Sequence, residues 1–214
     1  MEGKKQRNKI MWDGIFLYPF SITNIADLLS VIRFVTSPLL LVLGIIKSKN
    51  LFLTLYIFLM STDLIDGFIA RLQNKTSPQG AQLDSAADII MYSCFVTGAW
   101  LIWPEIIKRE LLSSIIVVIA YAIPLFAGII KFRRIPSYHT WGAKISAVGL
   151  GITFILLFGM NIRWTLSIFV PLFVLTAIEE LIITLILPEW HANIPSLWHA
   201  LKIVQKNKQY SLQS

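Results

Sequence analysis

The sequence is poor in charge. Of 214 residues only 14% are charged, against 56% hydrophobic, and the acids number 12. Soluble globular domains carry about a quarter charged residues, so a water-facing surface of ordinary composition is excluded. One cysteine, Cys94, lies in an apolar run. An intrachain disulfide is therefore excluded, and the thiol reads as core packing. No strong internal repeat is visible, which withholds support from a transporter built of duplicated halves. No G-x-x-x-G stretch occurs, so no motif of that kind marks a helix contact. The first residues are basic but lack the apolar core and cleavage site of a secretory signal.

What is present is a basic, apolar chain with formal charge +7 and mean hydropathy +0.68. Its basic residues fall in short segments between long apolar runs. That arrangement sets orientation in a bilayer and argues against a nucleic-acid partner. Windows long enough to cross a membrane recur at 25–46, 51–71, 83–103, 111–130, 145–160 and 164–187. The expected fold is all-α: a polytopic membrane protein of six transmembrane helices, residues 23–190. An amphipathic interfacial helix within residues 1–22 precedes them, with Ile10, Met11, Phe16 and Leu17 toward lipid and Lys4, Lys5, Arg7 and Lys9 toward headgroups. A cytoplasmic tail, 191–214, follows.

Six spans put both termini on one side. That side collects thirteen of the 19 Lys and Arg residues, the other side five, and Arg33 remains within a span. The positive-inside rule then places both termini in the cytoplasm. Trp100, Trp103 and Trp164 fall at outer ends, Trp141 and Trp190 at inner ends, and Trp12 in the surface helix, as an aromatic belt requires. The expected location is the cell membrane.

The acids are concentrated in "DLIDGFIARLQNKTSPQGAQLDSAAD". At about 1.5 Å per residue, Asp63 and Asp66 lie about 12 and 8 Å before the inner end of the second span, and Asp84 and Asp88 open the third. Positions 63, 66, 67 and 70 share one helix face, as do 84 and 88, so the carboxylates can converge. Between them Pro78 bars helix continuation, while Gly80 permits an unusual backbone conformation or a close ligand approach. Gly67 and Ala70 leave room against the acidic face. Four carboxylates in a poorly hydrated site need compensating cations. Oxygen ligands favour a hard divalent ion, Mg²⁺ or Mn²⁺, of the kind shared with substrate phosphates. Arg71 adds a fork-shaped donor for phosphate oxygens.

The stretch resembles the signature of the CDP-alcohol phosphatidyltransferases, D-x2-D-G-x2-A-R-x8-G-x3-D-x3-D. Asp63, Asp66, Gly67, Ala70, Arg71, Gly80, Asp84 and Asp88 meet every fixed position. "TNIADLLSVIRFVTSP" is similar to the family's first-helix pattern through Asn24, Arg33 and Pro38. The resemblance implies transfer of a phosphatidyl or related group from a CDP-alcohol lipid to the hydroxyl of a small polar acceptor, with release of CMP. It implies that Asp63, Asp66 and Asp84 ligate metal and that Asp88 is the general base and also touches a metal. Gly67, Ala70, Arg71 and Gly80, with Asp66 beside them, would form the CDP pocket. It also implies a homodimer embedded among membrane lipids, its active site facing the cytoplasm.

The acceptor site is less marked. Arg33 reads equally as an acceptor or phosphate ligand and as a structural partner of Asp27 or the acid cluster. Arg133 and Arg134, in "KFRRIPSYHTWGAK", serve membrane anchoring or an anionic acceptor. Lys144 is the best single candidate, at the inner mouth of the fifth span. His139 reads as a loop hydrogen-bonding residue rather than a ligand. Of Glu179 and Glu180 in the sixth span, one is expected to face the polar cavity and pair with a base such as Lys144 or Arg33. The basic groups rank glycerol 3-phosphate first as acceptor, then inositol phosphate, then serine. Two rival classes explain less. An ion or proton transporter leaves Gly67, Arg71 and Gly80 without purpose, and a Mg²⁺-dependent membrane prenyltransferase needs a second Asp-rich motif. Lys144→Ala is expected to raise the acceptor KM several-fold and leave the CDP-alcohol KM unchanged; unaltered kinetics of CMP release would remove Lys144 from the acceptor site.

Overall fold

The computed structural model describes residues 25–72 and 78–213. The expected surface helix of residues 1–22 lies outside them. Among the described residues all regular structure is helical: α1 Ile25–Thr36, α2 Leu39–Ile45, α3 Lys49–Leu72, α4 Pro78–Ile102, α5 Pro104–Arg109, α6 Leu111–Phe132, α7 Trp141–Met160, α8 Leu166–Ile186 and α9 Leu197–Gln213. Five stretches of the described residues are long and apolar enough to cross a membrane: Ile25–Ile45, Gln79–Ile102, Leu111–Phe132, Trp141–Met160 and Leu166–Ile186. The other expected span falls in α3, whose 24 residues reach about 36 Å, so the count of six is approximate.

The first span is broken. Pro38 has no N–H, so the carbonyl of Phe34 loses its helical partner, and α1 stops at Thr36. The chain passes the gap through a tight turn in which Leu40 N–H donates to the Ser37 carbonyl at 2.9 Å. Ser37 also donates twice to the Arg33 carbonyl, from its N–H at 2.9 Å and from its hydroxyl at 2.6 Å.

Packing joins α1 to α3 and α4, α2 to α4, α6 to α8, and α7 to α8. The main core is aromatic. Tyr56 stacks on Phe95 with centroids 4.0 Å apart, Phe95 on Phe154 at 5.3 Å, and Trp103 leans on Phe158 at 5.0 Å. Side chains such as Ile45 and Ile130, 70% and 74% exposed, cover the outside of the bundle, the surface a bilayer solvates. Polar pairs stitch helices internally, among them Ser146 Oγ to Thr176 Oγ1 at 3.0 Å between α7 and α8.

One close approach was invisible in the sequence. Gly44 of α2 and Gly98 of α4 face each other across the helix crossing, and a Cβ on Gly44 would sit 2.7 Å from the Gly98 Cα. The two glycines lie on different helices, which no spacing motif within one helix reveals. Because the obstructing atom is backbone, it cannot rotate away. Gly44→Ala is expected to cost about 1–3 kcal/mol, seen as a lowered Tm in detergent. Gly159→Ala, whose nearest neighbour is 3.6 Å away, is expected to leave Tm unchanged.

Candidate metal and phosphate site

Two helices bring the acids together. Asp63 lies in α3, and Asp84 and Asp88 sit one turn apart in α4, about 9 and 15 Å from its start. One carboxylate oxygen from each of Asp63, Asp84 and Asp88 lies within 4.8 Å of the others. Asp66, Gly67, Ala70 and Arg71 occupy the same helix as Asp63, but their side chains fall outside the described set. Pro78 takes the first position of α4, where its missing N–H costs nothing. Gly80 follows in that first turn with ordinary helical backbone, since among the described residues no glycine has positive φ. The unusual conformation allowed for Gly80 from the sequence is thus not used.

Arg33 is at the centre of the cluster. It is fully buried, and its Nη1 lies 2.9 Å from Asp63 Oδ1. Its Nη2 pairs with Asp84 and lies 3.2 Å from Asp88 Oδ1. Arg33 is thus paired with the acid cluster. One guanidinium against three carboxylates leaves a negative excess. An all-oxygen donor set with that excess and that spacing fits a hard divalent cation. Asp63, Asp84 and Asp88 are the residues that can hold it.

The loop 133–140 closes one side. Ser137 Oγ lies 2.9 Å from Ser85 Oγ of α4, and Tyr138 shares a 2.9 Å hydrogen bond with Thr184 of α8. Burial pushes the Tyr138 phenol up to about 12, so it remains protonated. Thr140 caps α7, its hydroxyl accepting from Ala143 N–H at 3.1 Å. Between these anchors His139 is held at φ 57°, a left-handed conformation uncommon for a side-chain-bearing residue. Its Nε2 sits 3.8 Å from Asp84 Oδ2, with the imidazole 27% exposed. Burial lowers the His139 pKa, Asp84 opposes that, and Lys144 and Arg33 reinforce it. The only signal of His139 in the sequence was an imidazole beside a helix-capping threonine.

Lys144 is close enough to bias His139 electrostatically, and its ammonium lies 5.4 Å from the Trp141 ring. Arg133 ends α6 in a left-handed conformation. Arg134 lies 5.3 Å from the Trp190 ring. Both arginines are exposed. Glu179 accepts from the Leu197 N–H at 3.0 Å.

The helical bundle thus brings three carboxylates that could hold a metal ion together around a buried guanidinium. The chain belongs to the CDP-alcohol phosphatidyltransferase family, whose model matches residues 23–187. A stretch of 65 residues is 38% identical to the CDP-diacylglycerol–glycerol-3-phosphate 3-phosphatidyltransferase of Aquifex aeolicus (strain VF5), covering 30% of this chain and 36% of that relative. The chain thus matches about a third of the length of this curated relative. No solved structure matches the chain. Family membership leaves the transporter and prenyltransferase readings without support.

Removing the central cation is expected to expose the imbalance. Arg33→Ala should destabilise the metal-free protein by about 3–5 kcal/mol. Mg²⁺ at about 100 times its Kd should return about 2.7 kcal/mol to the wild type. Thermal unfolding in detergent with chelator and with Mg²⁺ checks both; midpoints insensitive to Mg²⁺ in both proteins would remove the metal reading.

Proposed function

We propose that the protein transfers a phosphatidyl or related phospho-alcohol group from a CDP-alcohol, such as CDP-diacylglycerol, to an acceptor hydroxyl in phospholipid synthesis. The observation that carries this reading is the convergence of Asp63, Asp84 and Asp88 around Arg33 in a chain of this family. The acceptor oxygen forms a bond to the phosphorus bearing the lipid. The bond from that phosphorus to the oxygen of CMP breaks, and CMP leaves with those electrons.

Asp88 takes the acceptor proton as general base. Asp63, Asp66 and Asp84, with Asp88, hold Mg²⁺ or Mn²⁺, which when bound supplies charge stabilisation at the phosphoryl oxygens. Gly67, Ala70 and Gly80 admit the nucleotide, while Arg71 holds phosphate. Arg33 balances charge among the carboxylates and fixes their positions. Arg133, Arg134 and Lys144 attract an anionic acceptor. Glycerol 3-phosphate is the first choice, in keeping with the name of the Aquifex relative, followed by inositol phosphate and serine.

The catalytic unit spans residues 23–190. It works as a homodimer in the cell membrane, with both termini and the site toward the cytoplasm, where nucleotide and acceptor are dissolved while the acyl tails stay in lipid. The charge asymmetry of the loops supports this orientation.

The deciding assay is CMP release by purified protein in lipid with CDP-diacylglycerol and Mg²⁺, against glycerol 3-phosphate, inositol phosphate, inositol and serine. Acceptor-dependent release is expected, and Asp88→Asn should lower kcat about 10²–10⁴-fold without abolishing CDP-diacylglycerol binding. Absence of nucleotide-lipid binding by folded protein would overturn the proposal.

A further inference from the structure

Helix α9 was expected as part of a tail and lies beyond the family match, which ends at residue 187. Two hydrogen bonds fix where it begins. Leu197 N–H donates to Glu179 Oε1 at 3.0 Å, and Trp141 N–H donates to the Pro195 carbonyl at 3.1 Å. Glu179 lies seven residues before Ile186, the last residue of α8, which is about 10 Å along the helix axis. Trp141 is the first residue of α7. The start of α9 is therefore drawn back alongside the ends of the spans, at the depth of a membrane–water boundary.

The two faces of α9 differ. One is buried: Ala200 is fully covered, and Leu197 and Ile203 pack with Ile183, Leu187 and Ile194. The opposite face, at helical spacing, presents Trp198, Leu201, Lys202, Gln205 and Lys206. Trp198 is 59% exposed and Leu201 43%, and the Lys202 ammonium lies 3.4 Å from the Trp198 ring centroid. Residues 190–214 contain Lys202, Lys206 and Lys208 and no acid. A tryptophan and a leucine flanked by amines, with no neighbouring carboxylate in sequence, match a surface that enters a headgroup layer bearing negative charge.

We propose that the outer face of α9 docks on the bilayer surface and binds anionic lipid headgroups, with Trp198 and Leu201 entering the acyl boundary and Lys202 and Lys206 meeting phosphates. The occupant is the membrane that holds the protein. Positive charge complementary to an anionic leaflet and the depth fixed by Glu179 select it over a second copy of the chain. This inference stands independently of the proposed reaction.

The test uses the full chain with Cys94→Ala and Leu201→Cys, the new thiol carrying an environment-sensitive fluorophore. The protein is reconstituted in phosphatidylcholine vesicles containing increasing phosphatidylglycerol, with and without brominated acyl chains. Blue-shifted emission, quenching by the brominated lipid and a response that grows with phosphatidylglycerol are expected. Lys202→Gln with Lys206→Gln should raise the phosphatidylglycerol fraction needed for half the response several-fold, each lysine near an anionic surface contributing about fivefold in binding. Leu201, Lys202 and Lys206 are solvent-facing, Cys94 is buried, and unchanged Tm confirms that the variants fold. Emission as in water would overturn the proposal, as would a shift that depends on protein density without lipid quenching, which marks a second copy. Quenching that ignores phosphatidylglycerol and both lysines would overturn the anionic-lipid assignment.

Discussion

A guanidinium buried among carboxylates is the constraint around which the helices are arranged. Arg33 is the largest fully buried side chain of the described residues, and a charge at that depth is tolerated only when paired. Its partners come from α3 and α4, so one side chain cross-links three helices in a medium where hydrophobic attraction between helices is absent. The acids likewise require Arg33, because three carboxylates so close repel one another strongly at low dielectric. Neither half of the cluster is stable without the other.

The bundle separates two kinds of contact. Aromatic packing among Phe52, Tyr56, Phe95, Trp103, Phe154 and Phe158 supplies dispersion and shape. Toward the acid-bearing end, hydroxyl and carboxylate contacts take over: Ser85 with Ser137, Tyr138 with Thr184, and Glu179 with the amide of Leu197. Each joins a span to the connecting loop or the last helix. The loop carrying His139 is thereby fixed against α4 and α8, which is why a histidine in a connection can sit beside an aspartate of the cluster.

The sequence made the spans legible because bilayer thickness imposes a length and a composition together. It made the acids legible because they interrupt that composition at helical spacing. Contacts between distant residues left weaker traces. Asp63, Asp84 and Asp88 could be assigned to converging faces, whereas the ion pairs of Arg33 with them depended on tertiary placement. Gly44 and Gly98 carry no joint pattern, since 53 intervening residues say nothing of a crossing point. The position of His139 beside Asp84 left no trace in the sequence, because a loop residue has no periodicity to betray its direction. Helix α9 was read as tail because its lysines dilute its apolar residues, although Leu197, Ala200 and Ile203 mark one face at three-residue intervals.

The interruption at Pro38 has a mechanical meaning. A helix bends most readily where its ladder lacks a rung, and here the missing rung lies between Arg33 and the glycine contact of α2. The two sides are held by different means: α2 by backbone touching backbone, α1 by ion pairs. The first span can therefore bend at the gap without giving up either the ion pairs of α1 or the backbone contact of α2.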